Sequence, residues 1–366
     1  MHKTTPVPDP ADPASDLAEL ERPVLETRLE ARGVERFRAR QIFRWIYRHG
    51  VSDIGAMTDL SRDLRDALAI GFILTTPAVV GRERSIDGTE KFLLRLADGR
   101  QIESVFIPDT PAMTFCVSTQ VGCAMACAFC LTGKMGLVRN LTAGEIVGQV
   151  RVLADAFDLR NKRFNIVLMG MGEPLHNYDE TMKALRILSD PHGLDVSPRR
   201  VTLSTVGVLP ALERLAKEPA MPNLAISLHA PTDVTRGELV PINRKYGIAD
   251  IIAACRKFPL KKRSRITFEY VLLAGLNDSP QDAKTLAKLL SDVKAKVNVI
   301  PLNAAPGIPF ERPSEETIDR FAKILADHHI LVSVRKSRGR DIRAACGQLI
   351  VDGQRRSPAQ QLAVMM

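Results

Sequence analysis

Between Cys116 and Gly136 the chain reads C-V-S-T-Q-V-G-C-A-M-A-C-A-F-C-L-T-G-K-M-G, and no other stretch limits it as much. Cys123, Cys127 and Cys130 stand at spacing C-x3-C-x2-C. Cysteine thiolates hold iron–sulfur clusters, and an all-cysteine four-iron cluster needs four of them. Three in one loop leave one iron without a protein ligand, free to bind a small molecule as catalytic metal sites do. A structural zinc site wants a fourth Cys or His, and none lies between Val121 and Arg160 beyond these three cysteines. A disulfide staple does not suit a chain of this size without a secretion signal. A two-electron C-x-x-C redox pair leaves Cys123 unexplained. The expected cofactor is therefore a [4Fe–4S] cluster on Cys123, Cys127 and Cys130.

The 366 residues suffice for one large domain and a smaller one. Six cysteines, three of them clustered, point to metal chemistry in a reducing compartment. No apolar run is long enough to span a bilayer, and the Pro-rich, polar start lacks the apolar core of a signal peptide. The expected location is the cytoplasm, with residues 1–14 a disordered lead-in. The net charge of +9 suits a polyanionic partner but does not by itself identify one.

Residues 15–70 read as helical, with apolar residues at helical spacing over Asp16–Arg32 and Glu35–His49 and a third helix over Ser61–Leu68. Pro23 should split the first, and Gly33 and Gly50 fall where C-terminal caps belong. Arg32, Arg36, Arg38, Arg40, Arg44 and Arg48 fit either a solvated face or an RNA-facing surface. Lys91–Leu96 and Gln101–Ile107 form a hairpin signal. Glu103, the one acid in the second run, reads by pattern as a solvent-face residue.

From Met113 onward seven strand-like runs alternate with helical ones, which implies parallel strands with right-handed crossovers. The fold class is α/β, an incomplete (β/α) barrel preceded by the helical module and hairpin. Chemistry in such barrels sits at the C-terminal strand ends. The polar residues cluster there: Met169-Gly170-Met171-Gly172-Glu173-Pro174, Ser204-Thr205, Ser227-Leu228-His229 and Asn303. The organisation expected is a module over 15–100, a barrel with a cysteine loop over 101–350, and a tail over 351–366. The basic, glycine-punctuated run Arg335–Arg343 reads as a mobile phosphate-binding segment. Within the same tail, Cys346 lies among arginines that favour thiolate. Cys255, inside a helical run, reads as a buried apolar residue.

These motifs together resemble the radical S-adenosylmethionine (SAM) enzymes that methylate C2 of adenosine in 23S rRNA and tRNA. The matching pieces include Ile102-Glu103-Ser104-Val105, the cysteine loop, Met169–Leu175, Arg200–Thr205, Ala225–Ala230, Val240–Asn243 and Arg343–Leu349. The resemblance covers roughly Glu35 to Leu349. It implies SAM binding by Gly172, Glu173, Ser204, Ser227, Leu228, His229 and Asn303, and a cluster on the three loop cysteines. It implies Cys346 as the methyl carrier, Cys116 as the resolving cysteine in a transient disulfide with Cys346, and Glu103 as proton acceptor. Two SAM molecules are implied per turnover. One methylates Cys346; the other yields a 5′-deoxyadenosyl radical that activates the S-methyl group for addition to the base. A reduced electron-donor protein, no membrane and a monomeric state complete the expectation. Related enzymes methylate adenine C8, and the shared motifs leave that carbon open as the alternative.

Overall fold

The computed structural model describes residues 15–108 and 112–351. The expected lead-in over 1–14, and the tail beyond Val351, lie outside the described residues.

Ten strands make one sheet, called here β1 (Ala78–Arg84), β2 (Glu90–Arg95), β3 (Gln101–Ile107), β4 (Thr114–Cys116), β5 (Asn165–Leu168), β6 (Val201–Thr205), β7 (Asn223–Ser227), β8 (Ile266–Leu272), β9 (Ala295–Pro301) and β10 (Leu331–Val334). They lie side by side in chain order. β4 to β10 are parallel, joined mainly by helical crossovers, while β1 to β4 pair antiparallel. Neither β1 nor β10 pairs across to close the sheet, so the barrel is incomplete as expected. All seven expected parallel strands form. Their inward positions are apolar, which suits strands covered by helices.

The hairpin is not separate from the barrel. β3 pairs with β4 in the register Val105↔Cys116, so the boundary expected at 100/101 divides two paired strands of one continuous sheet. β1, unread in the sequence, extends the sheet by one more strand. Its largely exposed residues, with arginines and a glycine among them, lack the alternation that marks a half-buried strand.

The N-terminal module follows the helical reading in outline. Leu17–Glu19 is a short 3-10 turn, and Arg22–Glu30 restarts as a helix with Pro23 in its first turn, where the missing N–H costs nothing. Gly33 and Gly50 adopt φ of +72° and +77°, as C-terminal caps require. Several arginines of this module are engaged within the fold. Arg36 bonds Glu26, Arg38 bonds Gln41, Arg32 lies over the Phe72 ring, and Arg48 donates to the carbonyls of Pro191 and Gly193.

Helix Ala143–Ala156 starts with a capping box: Thr142 Oγ1 accepts from Glu145 N–H at 3.2 Å, and the Glu145 carboxylate accepts from Thr142 N–H at 3.0 Å. Arg139 clamps the same carboxylate, so the loop leaving the cysteines is fixed at its exit. No helix among the described residues is long and apolar enough to cross a membrane.

Arg236, wholly buried, knits the ends of β6 and β7. It donates to the carbonyls of Val206 (2.6 Å), Leu228 (3.1 Å) and Ser227 (3.3 Å), and to Asn243 Oδ1 (2.7 Å). Replacing it with Ala strands several buried acceptors at once. Arg236→Ala should therefore lose at least about 3 kcal/mol of unfolding free energy. A denaturant titration reads this directly, and a loss below about 1 kcal/mol would contradict it.

Candidate functional site

The C-terminal ends of β5 to β10 and the cysteine loop enclose one cavity of about 1000 Å3, its open mouth included. Cys123, Cys127, Cys130, Gly172, Glu173, Ser204, Ser227, His229, Asn303 and Cys346 all line it. The rule that strand ends carry the chemistry therefore holds. Leu228 is the exception: its side chain is fully buried in the main core, outside the cavity wall.

Glycines let the cysteine loop fold. A Cβ on Gly122, whose φ is +76°, would stand 1.9 Å from the Gly136 carbonyl oxygen. One on Gly133 would meet the Cys127 backbone nitrogen at 2.9 Å. The loop leaves through a small hairpin, Gln120–Gly122 with Leu137–Asn140, which the sequence reading did not contain. The three thiols are buried or half-buried, and desolvation pushes all of them up from the ordinary range. All three line the same cavity, which suits a cluster in which each thiolate binds a different iron.

The residues fit an anionic cluster carrying a polar ligand on three further counts. Arg236, whose charge is felt at Cys127, finds carbonyls and Asn243 as its acceptors and no carboxylate. Backbone N–H groups of Met125, Thr132 and Gly133 point at the sulfurs of Cys123 and Cys130, as outer-shell donors do in such sites. Asn303 Oδ1 is buried without a partner while its amide donates to the Cys346 carbonyl at 3.3 Å, so it has an acceptor to offer a ligand.

Glu173 is buried and its pKa is raised to about 7, first by burial, against N–H donors from Val206 and Leu175 at 2.9 Å each. A cationic ligand group in the cavity would keep it ionised. His229 sits at φ +63°, and its Nδ1 accepts from the Val271 N–H at 3.1 Å. Nε2 therefore carries the ring proton and acts as a donor. Ser204 and Ser227 face each other at 3.2 Å.

Beneath Cys346 lies a smaller cavity that Cys116 also lines. Both are free thiols. Arg335 lines both cavities, and its charge is coupled to Cys346, Glu269 and Cys116. The Cys116 thiol is pushed up to about 12, mainly by burial, with Cys346 adding to the shift and Arg335 opposing it. Arg335 was expected in a phosphate-binding tail; it belongs instead to the floor of the site. Glu269, in the middle of β8, was missed altogether. It is buried, lines the main cavity and accepts from Asn298 at 2.8 Å. The carboxylate inside Ile266–Leu272, an otherwise apolar strand but for Thr267, was the available signal.

The tail expected to be mobile is tied at two places, the turn at Ser85–Asp87 and the helix start at Leu131–Thr132. Asp341 accepts from Ser85, Gly339 N–H donates to Asp87, Gly347 O accepts from Leu131 N–H, and Thr132 donates to Leu349 O. Glu103 is not a solvent-face residue: it is 4 % exposed. Its carboxylate holds Lys91 at 3.1 Å and the Ile350 N–H at 2.8 Å, and it lines neither cavity. Cys255 is buried in its helix, as read.

Comparison with known proteins agrees with this architecture. Residues 117–289 match the radical SAM superfamily, and residues 15–73 match a ribosomal RNA large subunit methyltransferase N-terminal domain. The dual-specificity RNA methyltransferase RlmN of Pelobacter propionicus is 49 % identical over 92 % of this chain and 95 % of its own length. That of Geobacter sulfurreducens is 50 % identical over 89 % of each. This chain belongs to the dual-specificity RNA methyltransferases. A crystal structure of a radical SAM methyltransferase from Sphaerobacter thermophilus superimposes with a TM-score of 0.87 at 50 % identity, covering 92 % of this chain and 99 % of that one. The family's two parts therefore correspond to the helical module and the open barrel.

Burial holds His229 neutral down to a pKa of about 3, from an ordinary 6.5. The unfolded chain takes up that proton near 6.5, so acid favours unfolding. Stability of the metal-free protein should fall as pH drops below about 6.5, and His229→Asn should flatten that fall. Equal slopes in the two proteins, measured by urea titration from pH 7 to pH 4, would show that His229 does not titrate this way.

Proposed function

We propose that the cavity methylates C2 of adenosine in 23S rRNA and tRNA, with Cys346 as methyl carrier and Cys116 as the cysteine that releases the product. One observation carries this reading: Cys116 and Cys346, far apart in sequence, line one small cavity that shares Arg335 and Cys346 with the cluster cavity. A cluster protein used only for structure or redox sensing has no use for that pair.

Adenine C2 is an electron-poor carbon between two ring nitrogens and does not attack a methyl donor as a thiolate does. Bound together, a [4Fe–4S] cluster and SAM supply the methyl group and the radical that activates it. Cys123, Cys127 and Cys130 would hold the cluster. Glu173 would accept from a cationic group of the ligand, while His229, through Nε2–H, and Asn303 would anchor its other polar groups. Ser204 and Ser227 would bind hydroxyls. Leu228 contributes by its backbone, because its side chain belongs to the core.

Arg335 holds a positive charge beside Cys346 and Cys116, and at Cys116 it opposes the upward push of burial on the thiol. Cys346 carries the methyl carbon and becomes bonded through it to the base. Cys116 then attacks the Cys346 sulfur: the S–S bond forms as the bond between that sulfur and the methylene carbon breaks, the electron pair of the broken bond passes to the base, and loss of the C2 proton with gain of a proton at the methylene carbon leaves the methylated base free. An external thiol reduces the disulfide before the next cycle. Glu103, whose pKa burial raises against the pull of Lys91, is assigned here as the proton acceptor. In this conformation Ile350 and Lys91 occupy its carboxylate, so acting at C2 requires the covering segment to release it.

The alternative, methylation at C8, is not favoured by relatives that share about nine-tenths of the chain and carry the dual-specificity name. Nucleoside mass spectrometry of rRNA and tRNA, with and without the protein, separates 2-methyladenosine from 8-methyladenosine. The first should accumulate; the second alone would overturn the assignment.

Replacing Cys123, Cys127 or Cys130 singly with Ala should abolish both iron–sulfide content and methylation. Unchanged iron and sulfide in all three variants would remove the cluster from these residues.

Cys116→Ala should still form the bond between Cys346 and RNA but fail to release it. A nuclease-sensitive protein–RNA adduct on denaturing gels is the expected result, and Cys116→Ala with Cys346→Ala should show none. Normal turnover by the single variant, or inactivity without adduct, would return Cys116 to a purely structural residue.

A further inference from the structure

The end of the sheet opposite the reaction cavity carries a concentrated positive charge that the chemistry does not use. β5 to β9 are adjacent and parallel, with their C-terminal ends at the cavity, so the segments entering them share the far end. Arg160–Arg163 precedes β5, Arg199–Arg200 precedes β6, and Lys261–Arg265 precedes β8, most of these residues exposed. A second cavity opens beside the segments before β5 and β6, about 980 Å3 with its mouth included. Arg48 from the helical module and Arg160, Lys162, Arg163 and Arg200 from the barrel line it, against one carboxylate, Asp195.

The cations at this cavity are only partly neutralised. Arg160 leans on one side toward Asp155, at 3.1 Å, and Lys162 reaches Asp158 at 3.2 Å. Arg48 spends its guanidinium on carbonyls, and Arg200 donates to Asn165 Oδ1. Arg160 Nη1 is buried and has no hydrogen-bond partner. Its guanidinium lies so close to Gly50 that a Cβ there would stand 2.3 Å from it, which fixes the side chain where the module meets the barrel. A buried donor without an acceptor, in a cavity with five cations, is suited to an anion with several acceptor oxygens.

We propose that this basal cavity binds a backbone phosphate of the RNA substrate, at a distance from the nucleotide being methylated. The proposal rests on the RNA reading of the reaction cavity. Each strand between the two ends rises about 3.3 Å per residue, so the ends stand roughly 15–20 Å apart before loops are counted. A tRNA or a folded rRNA segment is large enough to touch both. Phosphate contacts position a nucleic acid without reading its sequence. That suits an enzyme with two RNA substrates, because such a contact does not depend on the bases.

The test uses the full-length protein with its cluster and full-length tRNA. One variant combines Arg160→Gln, Lys162→Gln and Arg163→Gln; a second carries only Lys162→Glu and Arg163→Glu, both exposed positions where folding is not at stake. Filter binding across a salt series should give a log–log slope smaller by about one in the triple variant, with affinity at low salt reduced about tenfold or more. In both variants KM for tRNA should rise while kcat at saturating tRNA stays unchanged. An unchanged slope and KM would overturn the proposal, and so would a fall in kcat with KM unchanged. If the wild-type protein leaves RNA unmethylated, it is the reading of the reaction cavity that fails. If it methylates RNA and the variants match it in slope and KM, only the basal site fails.

Discussion

The seal between the C-terminal segment and the cysteine loop governs this molecule. Leu131 N–H donates to Gly347 O at 2.8 Å, and Thr132 donates to Leu349 O at 2.6 Å across 217 positions of sequence. Those two bonds, with Asn303 reaching the Cys346 carbonyl, set Cys346 over the cavity. Without them the cavity loses a wall, and Cys346 separates from both Cys116 and the three cluster cysteines. The same segment covers Glu103 through Ile350. Closing the site and engaging the carboxylate are thus mechanically linked.

Electrostatics accounts for the rest of the arrangement. Four thiols and the carboxyls of Glu173 and Glu269 are gathered in little water, and burial alone pushes every one toward its neutral form. Two cations oppose that tendency from fixed positions. Arg236 stands beneath the cysteine loop on carbonyls and Asn243, and Arg335 stands between Cys346, Glu269 and Cys116. Each is itself held in the fold, Arg236 by its side-chain hydrogen bonds and Arg335 by its backbone bond to Val299 at 2.8 Å. Charges fixed in this way need no reorganisation when thiolates form.

Much of this was legible because period and punctuation are local. Alternating strand and helix patterns placed all seven parallel strands within a residue or two, and the polar residues after them fell at the cavity as the barrel rule requires. Three readings failed for a common reason. Glu103 looked exposed, Arg335 looked like part of a phosphate-binding tail, and β1 was not seen. Each depends on what another part of the chain brings to it: Lys91 and Ile350 to Glu103, Cys346 and Glu269 to Arg335, and an open sheet edge to β1.

The cysteine spacing, the glycines that let the loop turn and the order of strands and helices were determined by sequence alone, because each is set within a few residues by sterics and periodicity. Resemblance across motifs added the family. Only the tertiary structure decided that Cys116 and Cys346 share a cavity, that Arg335 serves both, and that the basic segments before β5, β6 and β8 gather at the opposite end. Those are facts of parallel topology and long-range closure. A parallel sheet sends every strand's C-terminal end one way and every N-terminal end the other, so residues scattered through the chain are sorted onto two faces that no local pattern reveals.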